Sequence, residues 1–375
     1  MRLAITGADG FLGWHLRIRL AALRPDDSVA AIGLDDWPRL AELVAGADVV
    51  LHLAGINRAA DAELEDGNVS LAREVATAAA ASGSVKRVVY ANSVQAGNGT
   101  PYGTGKLAAA ELLTSTLAEH GISVVDVRLP NLFGEHGRPN YNSFVATFVD
   151  KVIAGESPEI QDRPISLLHA QGAAQAILDA AAGDPGVVFP EGHQTSVVEV
   201  WNLLQGFHRL YVPSGDLPDL AEPFTRDLFN TYRAALFPAH YPVRLQPRSD
   251  DRGRLVETVR CHGSGGQTFV STTHPGITRG EHYHLHKVER FVVLDGSAEI
   301  ALRKMFTDEV VAFNVTGDEP VAVDMPVGWT HNITATGDRT ITTQFWTDSL
   351  FDPEAPDTYW TKVRPANEAA SEGQK

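Results

Sequence analysis

Cysteine is almost absent from this chain of 375 residues: Cys261 stands alone, so no disulfide can form within one molecule. Any metal site must therefore rest on nitrogen and oxygen ligands, and the lone thiol reads as a small hydrophobe rather than a nucleophile. Long apolar runs are missing too. No stretch approaches the ~20 residues a membrane helix needs, which argues against a helical membrane partner. Basic charge is scarce, with 31 Lys and Arg against 47 Asp and Glu and a net charge of -16. That balance disfavours a nucleic-acid partner held by phosphate neutralisation, though not a small anion held by backbone donors. Met1–Thr6 enters a strand pattern at once, leaving no room for a charged segment, an apolar segment and a cleavage site. A cytoplasmic, reducing setting is the expectation.

What is present is ordinary globular composition, 43% hydrophobic and 21% charged, in a chain longer than one core usually organises. Up to about residue 130, short β-branched runs (Leu3–Thr6, Val29–Ile32, Val49–Leu53, Val85–Ala91, Val124–Arg128) alternate with helical spacing at Leu16–Leu23 and Leu64–Ala81. This rhythm predicts a parallel sheet. Helical patterns at Phe144–Ala154, Ala170–Ala182 and Val197–Leu210 follow, joined by Pro- and Gly-rich stretches. Beyond Pro242 come short alternating runs at Gly266–Thr272, Glu289–Leu294, Ala298–Lys304, Val321–Asp324 and Thr340–Trp346, which predict a β-sandwich or barrel. The expected division is residues 1–240 for an α/β domain with a substrate lobe and helical connector, 241–365 for an all-β domain, and 366–375 for a flexible tail.

Thr6-Gly7-Ala8-Asp9-Gly10-Phe11-Leu12-Gly13 follows a strand and opens a helix, the context a phosphate-binding loop requires. Its glycines let the backbone approach a pyrophosphate, which then sits at the positive end of the helix. Leu53-Ala54-Gly55 closes a later strand where the backbone can pass beneath the same cofactor. Tyr102 and Lys106 are one helical turn apart, so the ammonium can lower the phenol's pKa and reach a ribose hydroxyl. Ser93, at the end of the preceding strand, would hydrogen-bond a substrate carbonyl while Tyr102 serves as general acid and a nicotinamide delivers hydride. Asp35 and Asp36 follow the second strand, where an acid favours a free ribose 2′-hydroxyl and a base favours a 2′-phosphate.

A second constellation lies in the β-rich half. His282 and His284 are two residues apart, so in a strand they share a face; Glu289 follows a turn and His331 lies on a returning strand. Three imidazoles and a carboxylate suit zinc, iron, manganese or nickel. His274, His286 and Lys287 are left outside the ligand set. The run from Gly276 to Gly296 matches the cupin pattern G-x5-H-x-H-x4-E-x6-G, whereas the second cupin motif keeps Pro326, Gly328 and His331 but lacks the usual Asn.

With those residues in hand, residues 1 to about 210 resemble an extended short-chain dehydrogenase/reductase of the nucleotide-sugar branch, a Rossmann fold, and the last third resembles a jelly-roll cupin. Arg128-Leu-Pro-Asn-Leu-Phe-Gly134, Asn57-Arg58, Pro139-Asn-Tyr-Asn142 and Phe351-Asp-Pro extend the likeness over nearly the whole chain to the CapF/WbjC family of bifunctional capsular-polysaccharide enzymes. The resemblance implies a UDP-linked amino-deoxysugar substrate approached by Asn131 and Asn142, a divalent metal, zinc first, NADPH (with NADH open), and a homodimer. It further implies C3 epimerisation of a UDP-2-acetamido-2,6-dideoxy-4-hexulose in the cupin half and C4 reduction in the other, giving the L-talose sugar of the UDP-N-acetyl-L-fucosamine route. Two alternatives stay open: a 4-ketoreductase of another deoxysugar pathway with a structural or regulatory cupin, and a sugar-nucleotide sensor or scaffold without turnover.

Overall fold

The computed structural model describes residues 1–263 and 265–365, so the expected tail lies outside the described residues. The chain divides into two compact units, Met1–Lys151 with Ser157–Trp201, and Val152–Glu156 with Asn202 onward.

In the first unit, strands β1 (Arg2–Thr6), β2 (Ser28–Ile32), β3 (Val49–His52), β4 (Arg87–Ser93) and β5 (Ser123–Leu129) join the edge strand Gly186–Val188. All neighbours are parallel, in the order β2-β1-β3-β4-β5 and then the edge strand. The central strands are apolar on both faces because helices cover both. Leu3 and Ile5 pack with Leu16 and Leu20 of α1 (Phe11–Leu23) and with Ile177, while Ala4 points the other way, toward Val75 of α2 (Asp61–Ser82) and Leu113 of α3 (Pro101–Ala118). Helix α2 ends on Gly83 at φ 67, a left-handed cap. Helix α3 starts at Pro101 behind Thr100, whose hydroxyl accepts from the Gly103 amide at 3.1 Å. The chain runs from β1 out to β2 and then back past β1 to β3. Open sheets bind ligands at the crevice made where the connections reverse in this way.

The loosely patterned middle of the sequence holds a small sheet of Asn131–Phe133, Pro164–His169 and His193–Ser196, beside the expected helices Phe144–Ala154 and Ala170–Ala182. In the second unit, one five-stranded sheet runs Val243–Arg244, Val321–Asp324, Glu289–Asp295, Ile341–Thr347 and Gln267–Thr273. The other runs Val310–Thr316, Ser297–Lys304, Trp329–Ala335, Thr278–Tyr283 and Tyr359–Trp360. The strand Val310–Thr316 is one the sequence pattern does not single out.

The compact units part after Trp201, so the connector from Asn202 packs with the barrel. The reason is a polar lock between the connector and the barrel. Arg290 and Asp324 are 1% and 0% exposed, and their ion pair closes at 2.6 Å. Arg290 also donates to the Gly215 carbonyl at 2.8 Å, and Asp324 accepts from the Tyr211 hydroxyl at 2.7 Å. Asn230, on the helix Pro223–Leu236, donates to the His286 carbonyl at 2.7 Å. A buried pair contributes little over an apolar substitute, but losing one partner strands the other charge. Asp324→Ala is therefore expected to destabilise the protein by about 3–5 kcal/mol in urea unfolding, and Arg290→Met with Asp324→Leu to recover most of the loss. A single variant with wild-type stability would contradict the lock.

Candidate functional site

The loop from Gly7 to Gly10 joins β1 to α1 at the sheet's crevice. Gly7 has φ 69, and a Cβ there would stand 2.8 Å from the Ala54 amide nitrogen; one on Gly13 would stand 2.2 Å from the Gly7 carbonyl oxygen. Side chains would fill this cradle, so its glycines are required by close backbone approach. The Thr6 hydroxyl meets His52 Nδ1 at 2.7 Å and accepts from Ala54 N at 3.3 Å, which ties the end of β3 and the segment Leu53–Gly55 to the loop. No side chain caps α1 at Gly10, so the first-turn amides ahead of Phe11, Leu12 and Gly13 remain available to an anion. The cradle fits a dinucleotide pyrophosphate.

Ser93 ends β4, and the Tyr102 side chain on α3 comes close enough to it for the serine to favour the phenolate. Burial raises the Tyr102 phenol above its ordinary pKa, with the neighbouring Ser93 opposing. This differs from the expected lowering by Lys106. The Lys106 amine turns instead to the Ala91 carbonyl at 2.9 Å and lies 4.2 Å from the Tyr90 ring centroid, and burial lowers its pKa to about 7. It also comes within 3.8 Å of the point where a Cβ on Gly55 would stand. A phenol held protonated near neutral pH is the form that donates a proton to a developing alkoxide.

Beside Ser93 opens a cleft of about 1010 Å³ lined by Val94, Gln95, Asn131, Arg163, Phe189 and Gln194 among others. Asn131 therefore stands where a substrate could reach it, whereas Asn142 lies on an exposed turn and does not line this cleft. Phe189 is 61% exposed, with the Arg128 guanidinium 5.6 Å from its ring centroid. Sequence reasoning missed Phe189 because it carries no motif. It also missed Asn68, which braces Ile56 through both its amide nitrogen and its oxygen.

In the barrel, His282, His284, Glu289 and His331 offer ligand atoms that all lie within 4.8 Å of one another. A bulge between Gly280 and His282, with Gly280 at φ 95 and Glu281 at φ 64, re-aims the strand so that both histidines face inward. Glu289 Oε2 lies 3.0 Å from His284 Nε2, 3.1 Å from His331 Nε2 and 3.8 Å from His282 Nε2. The Nδ1 atoms of His284 and His331 lie 2.5 Å and 3.3 Å from the carbonyls of Asp357 and Trp329. Carbonyls only accept, so Nδ1 carries the proton and Nε2 presents its lone pair inward. Burial, then the neighbouring His282, lowers the His331 pKa to about 4, which keeps it neutral and able to ligate. Burial would raise Glu289, but His284 first and then the other imidazoles around it outweigh it and hold the carboxyl well below its usual range. The donor set thus fits a divalent cation.

Asp357 also accepts from the amides of Leu285, His286 and Lys287, pinning the turn between the ligating strands, and no sequence signal marked it. His274 faces Thr340 at 3.2 Å, and Lys287 donates to the Pro356 carbonyl at 2.6 Å, so both are held outside the four-ligand cluster.

Residues 3–183 match the NAD dependent epimerase/dehydratase family, and residues 248–359 match the polysaccharide biosynthesis C-terminal domain. A UDP-2-acetamido-2,6-beta-L-arabino-hexul-4-ose reductase of Pseudomonas aeruginosa is 33% identical over 371 residues, covering 97% of this chain and 99% of the relative. The crystal structure of the capsular polysaccharide assembling protein CapF from Staphylococcus aureus shares 34% identity at a TM-score of 0.63, covering 96% of this chain and 100% of that one. The chain belongs to the CapF family. Its units are accordingly a Rossmann domain of the extended short-chain dehydrogenase/reductase type and a cupin-like barrel, and the chain is an NAD(P)-dependent sugar-nucleotide enzyme. The spore coat polysaccharide biosynthesis protein SpsL of Bacillus subtilis is 27% identical over 123 residues, 30% of this chain and 82% of that protein.

Removing one imidazole leaves the cation site short of a ligand. His331→Ala is expected to purify with far less than one equivalent of divalent metal by elemental analysis, whereas His274→Ala keeps the wild-type content. Full metal retention in His331→Ala would remove this residue from the ligand set.

Proposed function

We propose that this enzyme converts a UDP-2-acetamido-2,6-dideoxy-4-hexulose in two steps: C3 epimerisation in the barrel, then C4 reduction in the first unit to the UDP-linked L-talose sugar. The observation that carries the reading is the pairing of Ser93 with Tyr102 beside a glycine cradle, in a chain that matches the Pseudomonas reductase end to end.

When bound, the nicotinamide supplies the hydride. The cradle residues Thr6, Gly7, Asp9, Gly10, Phe11, Leu12 and Gly13, with Leu53, Ala54 and Gly55, would hold its dinucleotide, and Lys106 its ribose. Ser93 hydrogen-bonds the C4 ketone oxygen, and Tyr102, kept protonated by burial, passes its proton to that oxygen as the alcohol forms. In the cleft, the exposed Phe189 ring offers a face for uracil, and Asn131 and Gln194 offer polar contacts for the sugar nucleotide.

His282, His284, Glu289 and His331 would hold a divalent cation, zinc first, which when bound polarises the ketone and so acidifies the C3 proton. His282 gives the site its opening, since its side chain is 15% exposed while those of His284 and His331 are 1% and 0% exposed. That enclosure also favours a second reading, in which the cation only stabilises the barrel. The homodimer rests on the family resemblance, and the cytoplasmic setting on the scarcity of cysteine.

Tyr102→Phe keeps the ring but removes the proton. It is expected to lower ketone-dependent oxidation of the reduced nicotinamide by about 10²–10⁴-fold while cofactor binding is retained. Unchanged turnover would overturn the assignment.

A further inference from the structure

We infer that Trp360 forms the sugar-binding wall of the barrel site, its indole taking the apolar edge of the 4-hexulose ring beside the ligand cluster. The inference rests on the reading of the barrel as the C3 epimerase and goes beyond it by naming the residue that holds the sugar there.

In an antiparallel sheet, residues directly opposite one another share a face. His282 stands opposite His331 on one side and opposite Trp360 on the other, and His331 stands opposite Leu302. Leu302, His331, His282 and Trp360 therefore form one row, on the face that looks into the barrel. Exposure climbs along it: Leu302 and His331 are fully buried, the His282 side chain is 15% exposed, and Trp360 is 76% exposed. Tyr359–Trp360 is the outer strand of its sheet, which places the indole at the margin of the barrel. The indole and His282 rings meet edge to face, with centroids 5.8 Å apart.

The remaining ligands lie deeper. The side chains of His284 and Glu289 are 1% and 8% exposed, and Phe291 of the opposite sheet packs on His331 with ring centroids 5.6 Å apart. The approach from solvent to the cluster thus passes His282, and Trp360 stands beside that approach. An indole left in water forgoes the gain of burial, which a ligand lying on it would restore.

A 6-deoxy-4-hexulose suits such a surface. The face of an aromatic ring is electron-rich and attracts C–H groups of depleted electron density. The ketone at C4 depletes the neighbouring C5–H bond, and C6 is a methyl group, so this edge of the sugar is apolar and carries partial positive charge on its hydrogens. Uracil is the poorer partner, because a diphosphate separates it from the sugar, whereas the indole adjoins the ligand row directly.

The test follows deuterium entry at C3 in D2O, with full-length, metal-loaded protein and no nicotinamide, alongside metal content and tryptophan fluorescence. Trp360→Ala is expected to keep the wild-type metal content and melting temperature, and to raise KM for UDP-2-acetamido-2,6-dideoxy-4-hexulose about tenfold with kcat unchanged. Trp360→Phe should recover most of that loss. The part of the fluorescence that Trp360→Phe removes should respond to the hexulose nucleotide and not to UDP alone. An unchanged KM in Trp360→Ala overturns the inference while the epimerase reading stands, as does a response of the Trp360 signal to UDP alone. Loss of metal from Trp360→Ala overturns it too, by making the indole a brace for His282. Absence of C3 exchange in the wild type would overturn the epimerase reading together with it.

Discussion

A carboxylate removed from water must be given positive partners, and in the barrel that constraint falls on Glu289. Its buried oxygen sits among three imidazole nitrogens at 3.0, 3.1 and 3.8 Å, two of them already oriented by backbone carbonyls. Neutral imidazoles and one anion leave a net negative pocket, which a divalent cation compensates far better than water can in such an enclosure. Much of the local architecture serves this arrangement. The bulge after Gly280 turns His282 and His284 to one face, the pairing of His282 with His331 sets the second strand, and Asp357 fastens the turn that delivers Glu289.

The first unit solves a different problem, the approach of backbone to a charged cofactor. There the key contacts are steric. Gly7, Gly13 and the Leu53–Gly55 segment close on one another so tightly that no side chain could stand between them, and Thr6 and His52 knit the two strand ends. With carbonyls and amides so near, a pyrophosphate bound there would meet backbone donors, and the chemistry would fall to the few side chains at the rim. Burial tunes two of those in useful directions: Tyr102 stays a proton donor and Lys106 sits near neutrality.

The fold was legible where periodicity is strong. β1 to β5 fall within two residues of their sequence runs because strands of a helix-covered sheet read as apolar segments, and the approach of His282, His284 and Glu289 to one another was legible because one strand and one turn fix their spacing. The packing of the connector on the barrel was not, since the lock of Arg290, Asp324 and Tyr211 joins residues far apart in sequence and leaves no local pattern. Asn142 was drawn in by a motif whose turn the structure leaves outside the cleft. Asp357 and Phe189 are likewise tertiary facts: each residue type is ordinary, and only its neighbour makes it informative. The expected effect of Lys106 on Tyr102 failed because helical spacing fixes where a side chain starts, not where its tip goes.

The account stands most directly on whether the barrel does chemistry. The decisive measurement is proton NMR of UDP-2-acetamido-2,6-dideoxy-4-hexulose in D2O with the full-length protein and no nicotinamide, before and after chelation of the metal. The account predicts deuterium at C3 with the metal-loaded protein and none after chelation, followed by C4 reduction once reduced cofactor is added to the loaded protein. Reduction at C4 with no C3 exchange in the loaded protein would contradict it and leave the barrel a structural role.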